Sequence, residues 1–137
     1  MLQPKRSKFK KQFRGKMKGN AQRGSSLDFG QYGLKSLGRG WLTDQQIEAA
    51  RKATSHYTKR AGKVWVRVFP HKPITKKPSG VRMGGGKGDI ERFVVPIVPG
   101  KIIFEIAGVS EEMAHQALKR AGAKLPFKTK IVSQIEV

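Results

Sequence analysis

The sequence predicts an α+β fold, a mainly antiparallel sheet with two helices on one face, carrying a basic N-terminal arm and a long glycine-rich loop. Three observations lead there. Apolar runs of strand character occur at residues 63–69, 93–98, 101–106 and 127–135, and two capped segments with helical periodicity lie among them. Helices set apart from a mainly antiparallel sheet imply a layered sandwich in which both helices cover one sheet face. Residues 1–24 contain many cations and no carboxylate, so they belong to an arm rather than a core.

That arm carries Lys5, Arg6, Lys8, Lys10, Lys11, Arg14, Lys16, Lys18 and Arg23, and the first acid of the chain is Asp28. Such a block repels itself until a polyanion neutralises it, although a solubilising tail would share the composition. Residues 25–137 read as one domain. Between Leu27 and Arg39, Phe29, Tyr32, Leu34 and Leu37 are punctuated by glycines, which suits a short, irregular strand. Thr43 then caps a helix, with Gln46 completing a capping box and Leu42 stapling against Ile47. Ile47, Ala50, Thr54, Tyr57 and Ala61 form its apolar face, and Gly62 stops it.

Residues 63–69 alternate as a strand, Val64, Val66 and Val68 on one face and Trp65, Arg67 and Phe69 on the other. A connection over residues 70–90 follows, long enough to imply either a ligand or disorder. Residues 93–98 and 101–106 flank Pro99-Gly100, a pair suited to a type II turn, and are expected to form a hairpin. Pro96 cannot donate to a ladder, which places it at an edge or a bulge. Ser110 caps a second helix whose first turn holds Glu111 and Glu112, with Lys119 and Arg120 near its end. Its apolar face is Ala114, Ala117, Leu118 and Ala121, Gly122 ends it, and residues 127–135 form the last strand.

A formal net charge of +20, from 29 Lys and Arg against 9 Asp and Glu, makes nucleic acid the first candidate partner. No run approaches the length of a membrane span. The absence of cysteine excludes disulfides and thiolate metal sites, which fits a reducing interior. The amino terminus lacks the apolar block of a secretory signal, and Pro4, Gly15 and its lysine richness weigh against an organellar transit peptide.

Enzymatic chemistry finds little to work with. His56, His71 and His115 are scattered, and none has the His-x-x-x-His spacing that sets two ligands on one helical face. No metal or cofactor is expected, and no small-molecule substrate. The loop segment Arg82-Met83-Gly84-Gly85-Gly86-Lys87-Gly88 fails the phosphate-loop pattern at both ends, since Val81 stands where the first glycine belongs and Gly88 replaces the magnesium-binding hydroxyl. Its glycines instead allow close approach to a surface, with Arg82 and Lys87 supplying charge for phosphates. Arg39, Arg51, Arg60, Lys63 and Arg67 add cations on or beside the body. Trp41 and Trp65 either stack on bases or pack in the core, and the pattern leaves both open.

Four segments resemble the bacterial-type large-subunit ribosomal protein sixteen, the L-sixteen family. They are Met1-Leu2-Gln3-Pro4-Lys5-Arg6 with Lys8-Phe9; Gly38-Arg39-Gly40 with Leu42-Thr43 and Gln46-Ile47-Glu48-Ala49-Ala50-Arg51; Lys59-Arg60-Ala61-Gly62-Lys63-Val64-Trp65-Val66-Arg67-Val68-Phe69-Pro70; and Arg82-Met83-Gly84 with Gly86-Lys87-Gly88. Lys72-Pro73-Ile74-Thr75 adds to them, and the resemblance covers essentially the whole chain. It implies an α+β fold without catalytic activity, residing in the ribosome of a bacterial cytoplasm or an organelle. Implied partners are large-subunit (23S-type) rRNA near the central protuberance and peptidyl-transferase region, neighbouring large-subunit proteins, and tRNA in the A site, with the P site as a second candidate. The resemblance assigns the arm and body cations to rRNA and the loop from Arg82 to Gly88 to tRNA. Trp41 and Ser79-Gly80 depart from the family pattern.

Overall fold

The computed structural model describes residues 3–4, 19–22, 24–76 and 89–134. Seven strands and two helices are found among them, in the order β1 (Tyr32–Ser36), β2 (Gly40–Thr43), α1 (Asp44–Tyr57), β3 (Lys63–Val66), β4 (Lys72–Lys76), β5 (Asp89–Ile97), β6 (Ile102–Ala107), α2 (Glu111–Gly122) and β7 (Thr129–Ser133). They form a four-stranded sheet of order β3-β6-β1-β7 and a three-stranded sheet of order β2-β5-β4. Every pairing is antiparallel, as expected for this α+β class.

The first helix starts as its residues dictate. Thr43 Oγ1 accepts the Gln46 N–H at 3.1 Å while Gln46 Oε1 accepts the Thr43 N–H at 3.0 Å, so two orphan donors are satisfied reciprocally. Leu42 and Ile47 are both fully buried. Ser110 Oγ accepts the Met113 N–H at 3.2 Å and caps α2, with both glutamates in the first turn and Lys119 and Arg120 in the last, where each offsets the helix dipole.

Cross-strand register fixes which side of the larger sheet meets the helices. Leu34 lies opposite Phe104 and Ile131, and Phe104 lies opposite Val66; all four join the core with Ile47, Ala50, Ala114, Ala117, Leu118 and Ala121. Because side chains alternate along a strand, Glu105 and its two cross-strand partners, Gly33 and Trp65, face the opposite side.

Two expectations are corrected. Residues 93–98 and 101–106 do not pair as a hairpin, because β5 and β6 belong to different sheets. The turn itself forms, with Gly100 at φ +97° and the Lys101 N–H donating to Val98 O at 3.3 Å. The groups a hairpin would have used are taken by other partners. Gly100 N–H donates to Ser36 O, Ile102 N–H to Gly24 O and Ala21 N–H to Pro99 O, at 2.8, 2.7 and 2.8 Å. The end of the arm and the end of β1 thus part the two sheets, and Gly19, Ala21 and Gly24 lie on the body rather than away from it.

The second correction concerns the connection over residues 70–90. Its ends are ordered as β4 and the start of β5, with a ladder running to Lys76↔Asp89; residues 77–88 lie outside those described. The short, irregular strand expected between Leu27 and Arg39 forms as β1, whose register on β6 shifts between Leu34 and Lys35, while β2, just beyond that span, joins the other sheet. Pro96 sits in β5, the middle strand of its sheet, yet the β4 ladder ends at Val94, so at Pro96 only the β2 side is paired, at Trp41. Locally it occupies the edge that its missing N–H requires.

Gly62 ends the turn after α1 at φ +71°, and a Cβ there would collide with Ala107 O and approach Val109 Cγ1 to 2.9 Å. Gly62→Ala is expected to lower stability by about 2 kcal/mol, combining left-handed strain with a backbone clash that only movement of β6 can relieve. Urea unfolding with an unchanged slope is the check.

Candidate nucleic-acid interface

On the helix side, the C-terminal half of α1 and the end of α2 border an open groove of about 1270 Å³. Arg51, Lys52, His56, Lys59, Arg60, Arg120 and Lys124 line it together with Tyr57, Ser55 and three alanines, and no carboxylate is among its lining residues. The sequence predicted Arg51 and Arg60 as ligands and missed the rest. Lys52 and His56 stand one turn apart on α1, a spacing legible in the sequence, whereas Arg60 lies beyond the end of the helix. Arg120 and Lys124 reach the groove only because α2 packs against α1, which no local pattern discloses.

Individual groups in the groove are held in different ways. The Arg51 guanidinium receives support from Glu48, whose oxygens accept its Nε and Nη2 at 3.2 and 3.1 Å; the hydrogen bond to Arg51 holds the Glu48 carboxyl below its usual value. The Arg120 guanidinium lies 4.6 Å from the Tyr57 ring centroid, so a cation–π contact fixes it over the groove. Lys59 and Arg60 follow α1 with φ of +53° and +65°. Two successive non-glycine residues in the left-handed region cost on the order of 1 kcal/mol each or more, and strain of this kind persists where a side chain's placement is needed.

The remaining predicted cations lie elsewhere. Arg39 is exposed and donates to Gly19 O at 2.8 Å, against the end of the arm. Lys63 is exposed on the opposite side of the larger sheet, its Nζ 5.3 Å from the Trp65 ring centroid. Lys5, Arg6, Lys8, Lys10, Lys11, Arg14, Lys16, Lys18 and Arg23, and the loop residues Arg82, Met83, Gly84, Gly85, Gly86, Lys87 and Gly88, lie outside the described residues.

Arg67 is committed inside the protein. Its Nη1 donates to Glu105 Oε2 and Ser26 O, and its Nη2 to Asp28 Oδ2 at 2.9 Å, with its side chain 16% exposed. Glu105 is completely buried on the open side of the sheet, and its Oε1 accepts the backbone N–H groups of Asp28, Phe29 and Gly30 at 2.9, 3.0 and 3.1 Å. Gly30 permits this approach, since a Cβ there would lie 2.8 Å from Ile106 O. Sequence reasoning missed Glu105, although one acid inside Ile102-Ile103-Phe104-Glu105-Ile106 was the signal that a buried charge required partners.

Burial would push the Glu105 carboxyl up, but the amide of Gly30, the Arg67 guanidinium and the amide of Phe29 outweigh it and hold the group below its ordinary value of 4.5. A carboxyl depressed in the folded state contributes stability above its unfolded value and loses it as pH falls through the folded one. Glu105→Gln is therefore expected to cost about 3 kcal/mol at pH 7 and to flatten the decline in stability below pH ~4.5, measured by thermal unfolding across pH.

Among the described residues no group of three or more His, Asp or Glu is placed to hold a metal ion, and no helix is long and apolar enough to cross a membrane.

The sequence model of "Ribosomal protein L16p/L10e" matches residues 4–132. A protein of Parabacteroides distasonis named large ribosomal subunit protein uL16 is 58% identical over 132 residues, covering 96% of this chain and 92% of the relative. Proteins of the same name from two strains of Porphyromonas gingivalis are 60% identical with the same coverage.

Proposed function

Since this chain belongs to the ribosomal protein L16p/L10e family, a structural and non-enzymatic constituent of the large ribosomal subunit, we propose that its helix-side groove seats the phosphate backbone of large-subunit rRNA. The observation that carries this reading is the convergence of Arg51, Lys52, Lys59, Arg60, Arg120 and Lys124 from two helices on one concavity, two of them in strained backbone. Such cations would displace condensed counterions, and fixed positions lower the ordering cost at binding. Neighbouring ribosomal proteins complete the surroundings.

The arm from Lys5 to Arg23 extends the same contact. Gly19, Ala21 and Gly24 are tied to Arg39, the Pro99-Gly100 turn and β6, so the segment that follows the arm is anchored on the body. The segment from Arg82 to Gly88 joins the paired ends of β4 and β5, and its cations and glycines suit a contact with the backbone of A-site tRNA, with P-site tRNA as the second candidate. A ligand that must be released every cycle favours a few phosphate contacts over a large dry interface. The RNA keeps the chemistry, and the protein holds RNA elements in position.

Chemical footprinting on deproteinised large-subunit rRNA, and on subunits assembled without the protein, tests the reading. Discrete protection that survives moderate salt supports it; diffuse protection that vanishes with salt leaves a generic basic binder. Substituting Lys59 and Arg60 together by glycine separates function from folding. Relief of left-handed strain should raise stability by about 1 kcal/mol, while rRNA affinity falls and the logarithmic salt slope drops by about 2. Separately, Arg82→Ala with Lys87→Ala is expected to weaken A-site tRNA binding more than subunit assembly, read by filter binding and by incorporation; equal losses would count against the tRNA assignment.

A further inference from the structure

On the side of the larger sheet away from the helices, Lys63, Trp65 and Arg67 follow one another at alternate positions, with Phe29 laid against them from the preceding segment. The Phe29 and Trp65 rings are stacked with centroids 6.1 Å apart and planes 21° apart. Lys63 Nζ lies 5.3 Å from the Trp65 centroid and Arg67 Cζ lies 5.1 Å from the Phe29 centroid. The result is a ladder of cation, two near-parallel rings and cation. It stands on the surface, with Phe29 57% exposed.

The two ends of this ladder differ. Arg67 is locked by Glu105 and Asp28, and Glu105 also pins the backbone of residues 28–30, so the Phe29 ring is presented from a rigid base. Lys63 is exposed on a flexible stem, and a cation–π contact at such an exposed site is weak. Stacking of a base on an aromatic ring strengthens binding by about tenfold or more and tolerates any base identity.

We propose that the Trp65 ring, backed by Phe29, is a stacking platform for an unpaired base of the bound RNA. The base takes the place of the Lys63 ammonium over the ring, and Lys63 moves to the adjoining phosphate. The site lies across the sheet from the helix-side groove, so a protein of this size contacts two RNA segments from opposite faces. This rests on the rRNA-binding reading above and adds a second, chemically different contact to it.

The test uses the full chain with Trp41→Phe, which leaves Trp65 as its single tryptophan. Trp65 emission is expected to be quenched by a short single-stranded oligoadenylate and far less by an abasic ribose-phosphate strand of equal length. Equal quenching by both strands would show an electrostatic contact alone and overturn the proposal. In reconstituted subunits, Trp65→Leu is expected to expose one protected unpaired base to chemical modification, leaving protection by the helix-side groove intact, and to weaken oligoadenylate binding about tenfold at salt that suppresses phosphate contacts. If the wild-type footprint is present and no base gains reactivity in the variant, the platform is wrong while the rRNA reading stands. If the wild type gives no discrete footprint at all, both readings fail together.

Discussion

The buried carboxylate of Glu105 is the constraint on which this arrangement depends. One oxygen is surrounded by three successive backbone N–H groups from residues 28–30 and the other meets Arg67, so an isolated anion in an apolar strand is fully satisfied. A charge stripped of water without such partners would cost several kcal/mol. With them, it ties the segment leading out of the arm to the centre of the sheet. Because Arg67 pairs there with Glu105 and Asp28, the arginine that follows β3 forms part of the scaffold.

From that tie the two faces of the protein acquire different characters. The helix side places cations from α1, α2 and the residues that follow them around a groove, one fixed by aromatic contact and two by strained backbone. The open side presents stacked rings over a rigid base. Phosphate charge and base surface are complementary targets, and the sheet holds the cationic groove and the stacked rings at a fixed separation. This is a physical basis for a structural role in a ribonucleoprotein: ordering that has already been completed in the protein need not be repeated at binding.

Much of the local structure was legible in the sequence. The capping box at Thr43 and Gln46, the cap at Ser110, the alanine face of α2 and the turn at Pro99-Gly100 are each written within a few residues, and each forms. Strand partnership was not. The turn between β5 and β6 looked like a hairpin because the competing donors and acceptors, at Ala21, Gly24 and Ser36, lie far away in sequence. The same limit applies to the interface. Arg51 and Arg60 could be named from composition and spacing, whereas Arg120 and Lys124 join them only through packing of α2 on α1, and the internal role of Arg67 follows from a carboxylate 38 residues away.

The central claim, that the two faces meet different RNA segments, is tested most directly by local cleavage from tethered iron. The chain has no cysteine, so Ser55→Cys in the helix-side groove and Ser26→Cys on the open side each provide a single attachment point. Hydroxyl radicals released from each position in the assembled subunit are expected to cut two separate, discrete sets of rRNA nucleotides. Identical cuts from both positions, or diffuse cuts from either that disappear with salt, would contradict it.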